Sequence, residues 1–325
     1  MFRICVEVVG TRPYNASMFT QLQTTHENHT SLEAQVGNTP LLQLSHVTAA
    51  YHLPPSVQIY AKAEWFNPSG SVKDRAALHI IRMAEEDGRL WPGMTILDST
   101  SGNMGIAYAM FGTARGYKLK LVLPESASAE RISILRQYGV ELIFSDGTTG
   151  SDGAIELARQ LAESDPKLFY ANQYDNPANW QAYYQHMGDE IWQQTQGEIT
   201  HFVAGLGSSG TFTGTTRRLR ELDTAVQCIA VQPASEKEGI KGLKHMPTAI
   251  RPSIYDETLA DNNTTVNADD ARKMMQVLAN KEGILVGPSA AAAVAATVNI
   301  AQKQQEGVFV TVLPDNGLKY LSTPL

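Results

Sequence analysis

The run His201-Phe202-Val203-Ala204-Gly205-Leu206-Gly207-Ser208-Ser209-Gly210-Thr211 decides how this chain folds. Its first four residues read as a short strand, and Thr211–Glu221 has helical period. A second apolar run, Gln227–Gln232, follows at once. Strand, tight turn, helix and strand make a unit whose two strands lie parallel, with the helix packed across them.

Outward from this unit the same alternation runs in both directions. Further strands are expected at Val57–Ala63, Thr95–Ser99, Lys118–Leu123, Glu141–Phe144, Leu168–Ala171 and Val308–Leu313. Helices are expected at Asp74–Glu86, Gly105–Arg115, Ser128–Gln137, Gly153–Ala162, Trp180–Gln194, Ala268–Asn280 and Ala290–Gln304. The pattern predicts an α/β fold of parallel sheets covered by helices on both faces. At 325 residues the chain is long enough for two lobes or one large α/β unit. Ligands of such folds sit at the carboxyl ends of strands, where loops enter helices.

Composition narrows the partners. The net charge is −7 and no basic stripe interleaves with aromatics, which argues against nucleic acid and against an anionic lipid surface. A small-molecule partner is expected. Cys5 and Cys228 are the only cysteines, far apart, so neither a disulfide framework nor a zinc pattern is present and no metal is expected. Cys228 lies in an apolar run and reads as a buried, inert thiol, which fits a reducing, cytoplasmic setting. The longest apolar stretch, Ile284–Ile300, is interrupted by Pro288, Ser289 and Asn299, and reads as a core helix rather than a membrane span. Residues 1 to about 30 read as a polar N-terminal arm without a signal or transit peptide, and Asn15-Ala16-Ser17 as a chance glycosylation triplet.

Four strand-to-helix loops carry the chemistry. In Asn67-Pro68-Ser69-Gly70-Ser71-Val72-Lys73, Pro68 and Gly70 force a turn and Ser71 is a candidate cap for the next helix. Lys73 then stands in the first turn, where the helix dipole disfavours an ammonium and helps a nucleophilic amine. A lone lysine there is more often a solvated surface charge. Ser99-Thr100-Ser101-Gly102-Asn103-Met104-Gly105 gathers hydroxyls, an amide and backbone N–H groups at a helix start, as a carboxylate requires, although an ordinary capping loop looks the same.

Gly207-Ser208-Ser209-Gly210-Thr211 combines close backbone approach with hydroxyl donors, suited to a phosphate monoester. Its G-x-G-x-x-G spacing also matches a dinucleotide fingerprint, but the next strand ends Val231-Gln232-Pro233 without the carboxylate that would hold a ribose. No P-loop lysine follows, which disfavours ATP. Gly287-Pro288-Ser289 sets one hydroxyl at the start of an alanine-rich helix, which is either a cap or a single ligand contact.

Taken in order, these loops resemble the cysteine synthase family, the fold type II pyridoxal-phosphate enzymes. The likeness runs from Gly37-Asn38-Thr39-Pro40-Leu41 to Lys319-Tyr320-Leu321-Ser322-Thr323 and includes Asn172-Gln173-Tyr174-Asp175-Asn176-Pro177-Ala178-Asn179 and Glu282-Gly283-Ile284. It implies two lobes like those of tryptophan synthase β, each a mostly parallel sheet flanked by helices. Residues 31–66 and 178–325 would form the large cofactor domain, and 67–177 a smaller mobile one. It also implies a homodimer.

The resemblance assigns pyridoxal 5'-phosphate as cofactor and Lys73 as the residue that bonds its aldehyde. Asn103 would meet the phenolic oxygen, Gly207, Ser208, Ser209, Gly210 and Thr211 the phosphate, and Ser289 the pyridine nitrogen. Thr100, Ser101, Asn103, Met104 and Gln173 would hold the substrate carboxylate. The reaction implied is a transferase reaction: the β-substituent of O-acetyl-L-serine or O-phospho-L-serine is exchanged for sulfide or thiosulfate. Lys73, once freed, is the base for the Cα proton. A neutral Ser289, unlike an aspartate, leaves little positive charge on the ring and favours loss of the β-substituent over transamination.

Gly239-Ile240-Lys241-Gly242-Leu243-Lys244-His245-Met246-Pro247 is more polar than its counterpart in the O-acetylserine sulfhydrylase A branch and closer to the B and O-phosphoserine branch. Lys244 stands where relatives preferring phosphoserine carry a cation. Met104 replaces the family's usual threonine, and Ser289-Ala290-Ala291 its usual Ser-Ser-Gly. The chain ends at Leu325 with neither a longer tail nor a regulatory domain expected. Competing readings are a synthase using an amine nucleophile, which Ser99-Thr100-Ser101-Gly102-Asn103 followed by the bulky apolar Met104, together with Asn179-Trp180-Gln181, also resembles, a non-catalytic regulatory homologue, and a nicotinamide dehydrogenase.

Overall fold

The computed structural model describes residues 31–100, 102–125 and 127–321. The expected N-terminal arm, Cys5, the Asn15 triplet, Ser101 and residues 322–325 lie outside them. In chain order the elements are β1 Leu41–Gln43, α1 Ser45–Ala50, β2 Val57–Ala63, α2 Lys73–Glu86, β3 Thr95–Ser99, α3 Asn103–Ala114 and β4 Lys118–Pro124. Next come α4 Ala129–Gln137, β5 Glu141–Ser145, α5 Gly150–Ser164, β6 Leu168–Tyr170, α6 Ala178–Tyr184 and α7 Met187–Gln194. The last are β7 His201–Gly205, α8 Gly210–Leu222, β8 Gln227–Pro233, β9 Asn262–Val266, α9 Ala268–Val277, α10 Pro288–Ala301 and β10 Gly307–Leu313.

Two sheets result. Six strands run in the order β1-β2-β10-β7-β8-β9, and four in the order β5-β4-β3-β6. Every pairing is parallel except that of β1 with β2. Registers such as Gly205 opposite Val231, Leu313 opposite Ala63 and Ser99 opposite Val122 align the carboxyl ends of neighbouring strands. The loops that leave those ends carry the motifs, except that Gly287-Pro288-Ser289 follows a π turn, with only an isolated bridge from Val286 to Asn316 before it.

Residues of the strands explain their places. Val57, Ile59 and Ala61 alternate into a core shared with Val203, Ile229, Val231 and Phe309. The stretch after Ile284 forms α10, buried nearly all round, and its run Ala290–Ala293 lets the helix lie close to the sheet. No described helix is long and apolar enough to cross a membrane. Cys228 is fully buried in β8, and burial pushes its thiol up to about 11, so it is inert as expected.

The expected helix Trp180–Gln194 is two helices, broken at Gln185 and His186, where His186 takes φ −133°. No breaker residue marks that point. Both halves pack on α8: a Cβ on Gly214 would lie 2.0 Å from the Trp180 carbonyl, and one on Gly188 would lie 2.6 Å from Arg218 Cβ. The chain bends to keep both contacts. The helix expected to reach Asn280 instead passes into a wide π turn, Leu278–Glu282, stopped by Gly283 at φ +69°. The last helix begins at Pro288, in the first-turn position where its missing N–H costs nothing, and ends at Ala301.

Candidate active site

The loop after β2 delivers Lys73. Gly70, at φ +79°, donates to the Asn67 carbonyl at 2.8 Å and turns the chain into α2. Ser71 does not occupy the cap position, which is Val72, but its Oγ accepts the Lys73 N–H at 3.3 Å. Two residues on, Arg75 anchors the helix: it forks onto Glu64 (2.7 and 2.8 Å) and onto Glu190 (2.6 and 2.9 Å), with Lys62 2.7 Å from Glu190. Burial alone would raise Glu190, but the Arg75 hydrogen bonds and the Arg75 and Lys62 charges hold it at about 2. Lys73 Nζ has no hydrogen-bond partner among the described residues. Burial pulls its pKa down, against the opposing pull of the Asp315 and Glu64 carboxylates. Desolvation therefore favours the neutral amine.

The second loop leaves β3 over a buried carboxylate. Asp98 accepts the Ser99 N–H at 2.8 Å and the Gln173 N–H at 3.4 Å, and burial raises it to about 7. Gln173 Nε2 donates to the Ser99 carbonyl at 3.2 Å, so the expected carboxylate binders of two loops are held together. Thr100 Oγ1 accepts the Gly102 N–H at 3.2 Å. Asn103 opens α3, and its amide is gripped at both ends: Nδ2 donates to Asp315 at 2.7 Å, and Oδ1 accepts from Lys319 Nζ at 3.0 Å. Tyr320 OH donates to the same Asp315 oxygen at 2.7 Å.

The glycine loop closes the far side. Ser209 caps α8 in the left-handed region, φ +70°, and its buried Oγ has no hydrogen-bond partner among the described residues. A Cβ on Gly207 would lie 2.6 Å from the Gly242 carbonyl, and one on Gly210 would lie 2.1 Å from Asn179 Oδ1. Only glycine fits either place. Asn179 Nδ2 bridges the Gln173 carbonyl (2.6 Å) and Ser208 Oγ (3.1 Å), tying this loop to the second one. Ser289, at the start of α10, packs its hydroxyl where a Cβ on Gly242 would be 3.0 Å away.

One cavity of about 310 Å³ receives all of these. Lys73, Thr100, Asn103, Met104, Gln173, Gly207, Ser208, Ser209, Gly210, Thr211, Lys244 and Ser289 line it; Ser101 lies outside the described residues. Lys244 is no solvated surface charge: its side chain is 10% exposed and its Nζ lies 3.0 Å from Asp152 Oδ1. Sequence reasoning passed over Tyr174, Arg131, Ser151 and Tyr320, which also line the cavity. Tyr174 and Tyr320 stood inside quoted motifs, whereas Arg131 on α4 and Ser151 on α5 carried no local signal.

Pyridoxal phosphate fits this donor set. A partly buried amine disposed to be neutral suits an aldehyde, and a buried hydroxyl without a partner among the described residues, at the start of the 13-residue α8, suits a phosphate. The profile of the family described as pyridoxal-phosphate dependent enzyme matches residues 32–315. The chain is 46% identical over 295 residues to the cysteine synthase of Aquifex aeolicus, covering 89% of this chain and 90% of that one. It is 40% identical to cysteine synthase B of Escherichia coli, over 90% of this chain and 95% of that one. The crystal structure of cysteine synthase from Entamoeba histolytica superposes with a TM-score of 0.86 at 33% identity, covering 98% of this chain and 93% of that one. With its fold, its cavity and most of its length accounted for in this way, the chain belongs to the cysteine synthase family of pyridoxal-phosphate-dependent enzymes.

Proposed function

We propose that this cavity replaces the β-substituent of an O-activated L-serine with sulfide to give L-cysteine, or with thiosulfate to give S-sulfo-L-cysteine, and that the chain belongs with the B and O-phosphoserine branch. The observation that carries the reading is the convergence of six separate loops, from Lys73 to Ser289, on a single cavity. Pyridoxal phosphate, when bound, supplies the electron sink that weakens the bonds at the substrate's Cα.

The protein's own groups do the rest. Lys73 bonds the cofactor and then takes the proton from substrate Cα, a task its burial suits by favouring the neutral amine. Ser208, Ser209, Thr211 and the N–H groups opening α8 hold the phosphate. Asn103, braced by Asp315 and Lys319, presents its amide to the phenolic oxygen, and the uncharged Ser289 meets the ring nitrogen. Thr100, Ser101, the Met104 backbone and Gln173 orient the substrate carboxylate, and Lys244 faces the leaving group. Trp180 lies under Arg217, 4.3 Å from ring centroid to Cζ, and does not line the cavity, so this residue lends the amine-nucleophile reading no support.

The same reading takes residues 67–177 as a smaller domain that closes over bound donor and keeps water out. It also takes the working form as a cytoplasmic homodimer. Exposed Leu285 and Leu318, neighbours through the 3.0 Å Gly317 to Leu285 hydrogen bond, support a covered face. The test is direct. Purified protein absorbs in the visible, and borohydride fixes the chromophore to the peptide containing Lys73. A panel of O-acetylserine and O-phosphoserine against sulfide, thiosulfate and amines turns over fastest with sulfide, giving cysteine. A colourless protein with no modified peptide would sink the reading.

A further inference from the structure

Lys244 belongs to the loop after β8 and Asp152 to α5, which covers the other sheet; 92 positions separate them. Their ion pair at 3.0 Å forms part of the cavity wall, because Lys244 lines the cavity and so do Ser151 and Ala154 on either side of Asp152. The amine is confined on a second side by the Tyr174 ring, 4.8 Å from centroid to Nζ. The carboxylate is equally fixed, since its other oxygen accepts the Ile250 N–H at 3.0 Å. Neither partner is free to swing into solvent at no cost.

We propose that Asp152 is a specificity-determining residue: by pairing with Lys244 it presents the donor's leaving group with a neutralised amine and so favours an uncharged acyl ester over a phosphate ester. The inference rests on the reading that Lys244 faces the leaving group. A neutral ester enters beside an ion pair of zero net charge without disturbing it. A phosphate ester must draw the same amine away from Asp152 while lying close to its carboxylate, and like charges at such range repel. Asp152 remains charged throughout the neutral range. Burial would raise it, but the Ile250 N–H and the Lys244 amine together hold it below the usual carboxylate range. Lys241 and Arg131 also line the cavity, so the positive field near the donor does not vanish. Asp152 reduces it where Lys244 stands.

The experiment uses the holoenzyme with sulfide and reads kcat/KM for O-phospho-L-serine divided by kcat/KM for O-acetyl-L-serine. If phosphoserine is not turned over, the reciprocal of its inhibition constant against O-acetylserine takes the place of the numerator. Asp152→Asn keeps an oxygen for the Ile250 N–H and removes only the charge. It is expected to raise the ratio on the order of tenfold. Lys244→Ala lowers the ratio, and Asp152→Asn raises it less in the Lys244→Ala background than in wild type, because only the direct repulsion by the carboxylate is left to relieve there. An unchanged or lowered ratio in Asp152→Asn overturns the proposal. If Lys244→Ala also leaves the ratio unchanged, the failure lies in the placement of Lys244. If Lys244→Ala lowers it, the failure is that of Asp152 alone.

Discussion

Lys73, at the start of α2, and Lys244, in the loop after β8, line the same cavity, yet their surroundings treat the amine in opposite ways. Lys73 is withdrawn from water without a hydrogen-bond partner among the described residues, while the nearest carboxylate charges, Asp315 and Glu64, only partly compensate. Lys244 lies against an aromatic face and 3.0 Å from a carboxylate that is itself fixed by a backbone N–H. The first environment prepares a nucleophile and base; the second sets the amine against a carboxylate and an aromatic face. Residue type says nothing of this difference. Desolvation and partner choice make it.

The comparison breaks most plainly at Lys73 itself. Lys73→Ala should abolish covalent capture of pyridoxal phosphate, seen as loss of the borohydride-fixed peptide, and lower turnover by about 10³-fold. A variant that still labels would show the covalent site to be elsewhere.

Next comes the scaffold under Lys73. Arg75→Met leaves Glu64 and Glu190 buried with one cation fewer, and should cost about 3–5 kcal/mol of stability in urea unfolding. Lys244→Ala, whose partner Asp152 is partly exposed, should cost far less. Equal losses would erase the distinction between a structural and a functional ion pair.

A smaller effect is expected in the glycine loop. Gly210→Ala drives a methyl to within 2.1 Å of Asn179 Oδ1, an overpacking of about 1–3 kcal/mol, and should weaken cofactor retention roughly tenfold in equilibrium dialysis. Unchanged retention would mean that the loop is a packing turn and not the phosphate cup.

The finest test is of charge. Asp315 pulls the Lys73 pKa up against burial, so Asp315→Asn should let it fall further. At a given acidic pH more of the amine is then neutral, and the rate at which apoprotein captures pyridoxal phosphate should reach its plateau at lower pH than in wild type. A shift toward higher pH would show that Asp315 is not the opposing charge.

Much of this was legible beforehand. Eight strands and the glycine-rich loops were expected where they stand, because a period-two or 3.6-residue pattern is a local property of the chain. What escaped lay at the margins. β1 and β9 are the two edges of the six-stranded sheet, and β9 reads Asn262-Asn263-Thr264-Thr265-Val266 with only Val266 buried, so no hydrophobic alternation announces it. The break between α6 and α7 answers to close contacts at Gly188 and Gly214, which no pattern within residues 180–194 encodes.

The sequence by itself determined the α/β alternation and placed Lys73, Asn103 and Gly207–Thr211 at strand-to-helix turns and Ser289 at a helix start, since turn chemistry and periodicity act over a few neighbouring residues. Only the tertiary structure decided what those residues can do. Asn103 is gripped by Asp315 from 212 positions away and Lys244 by Asp152 from 92, and burial of the Lys73 amine is the work of several elements at once. Charge state depends on solvent exclusion and on long-range partners, and both exist only once the chain has folded.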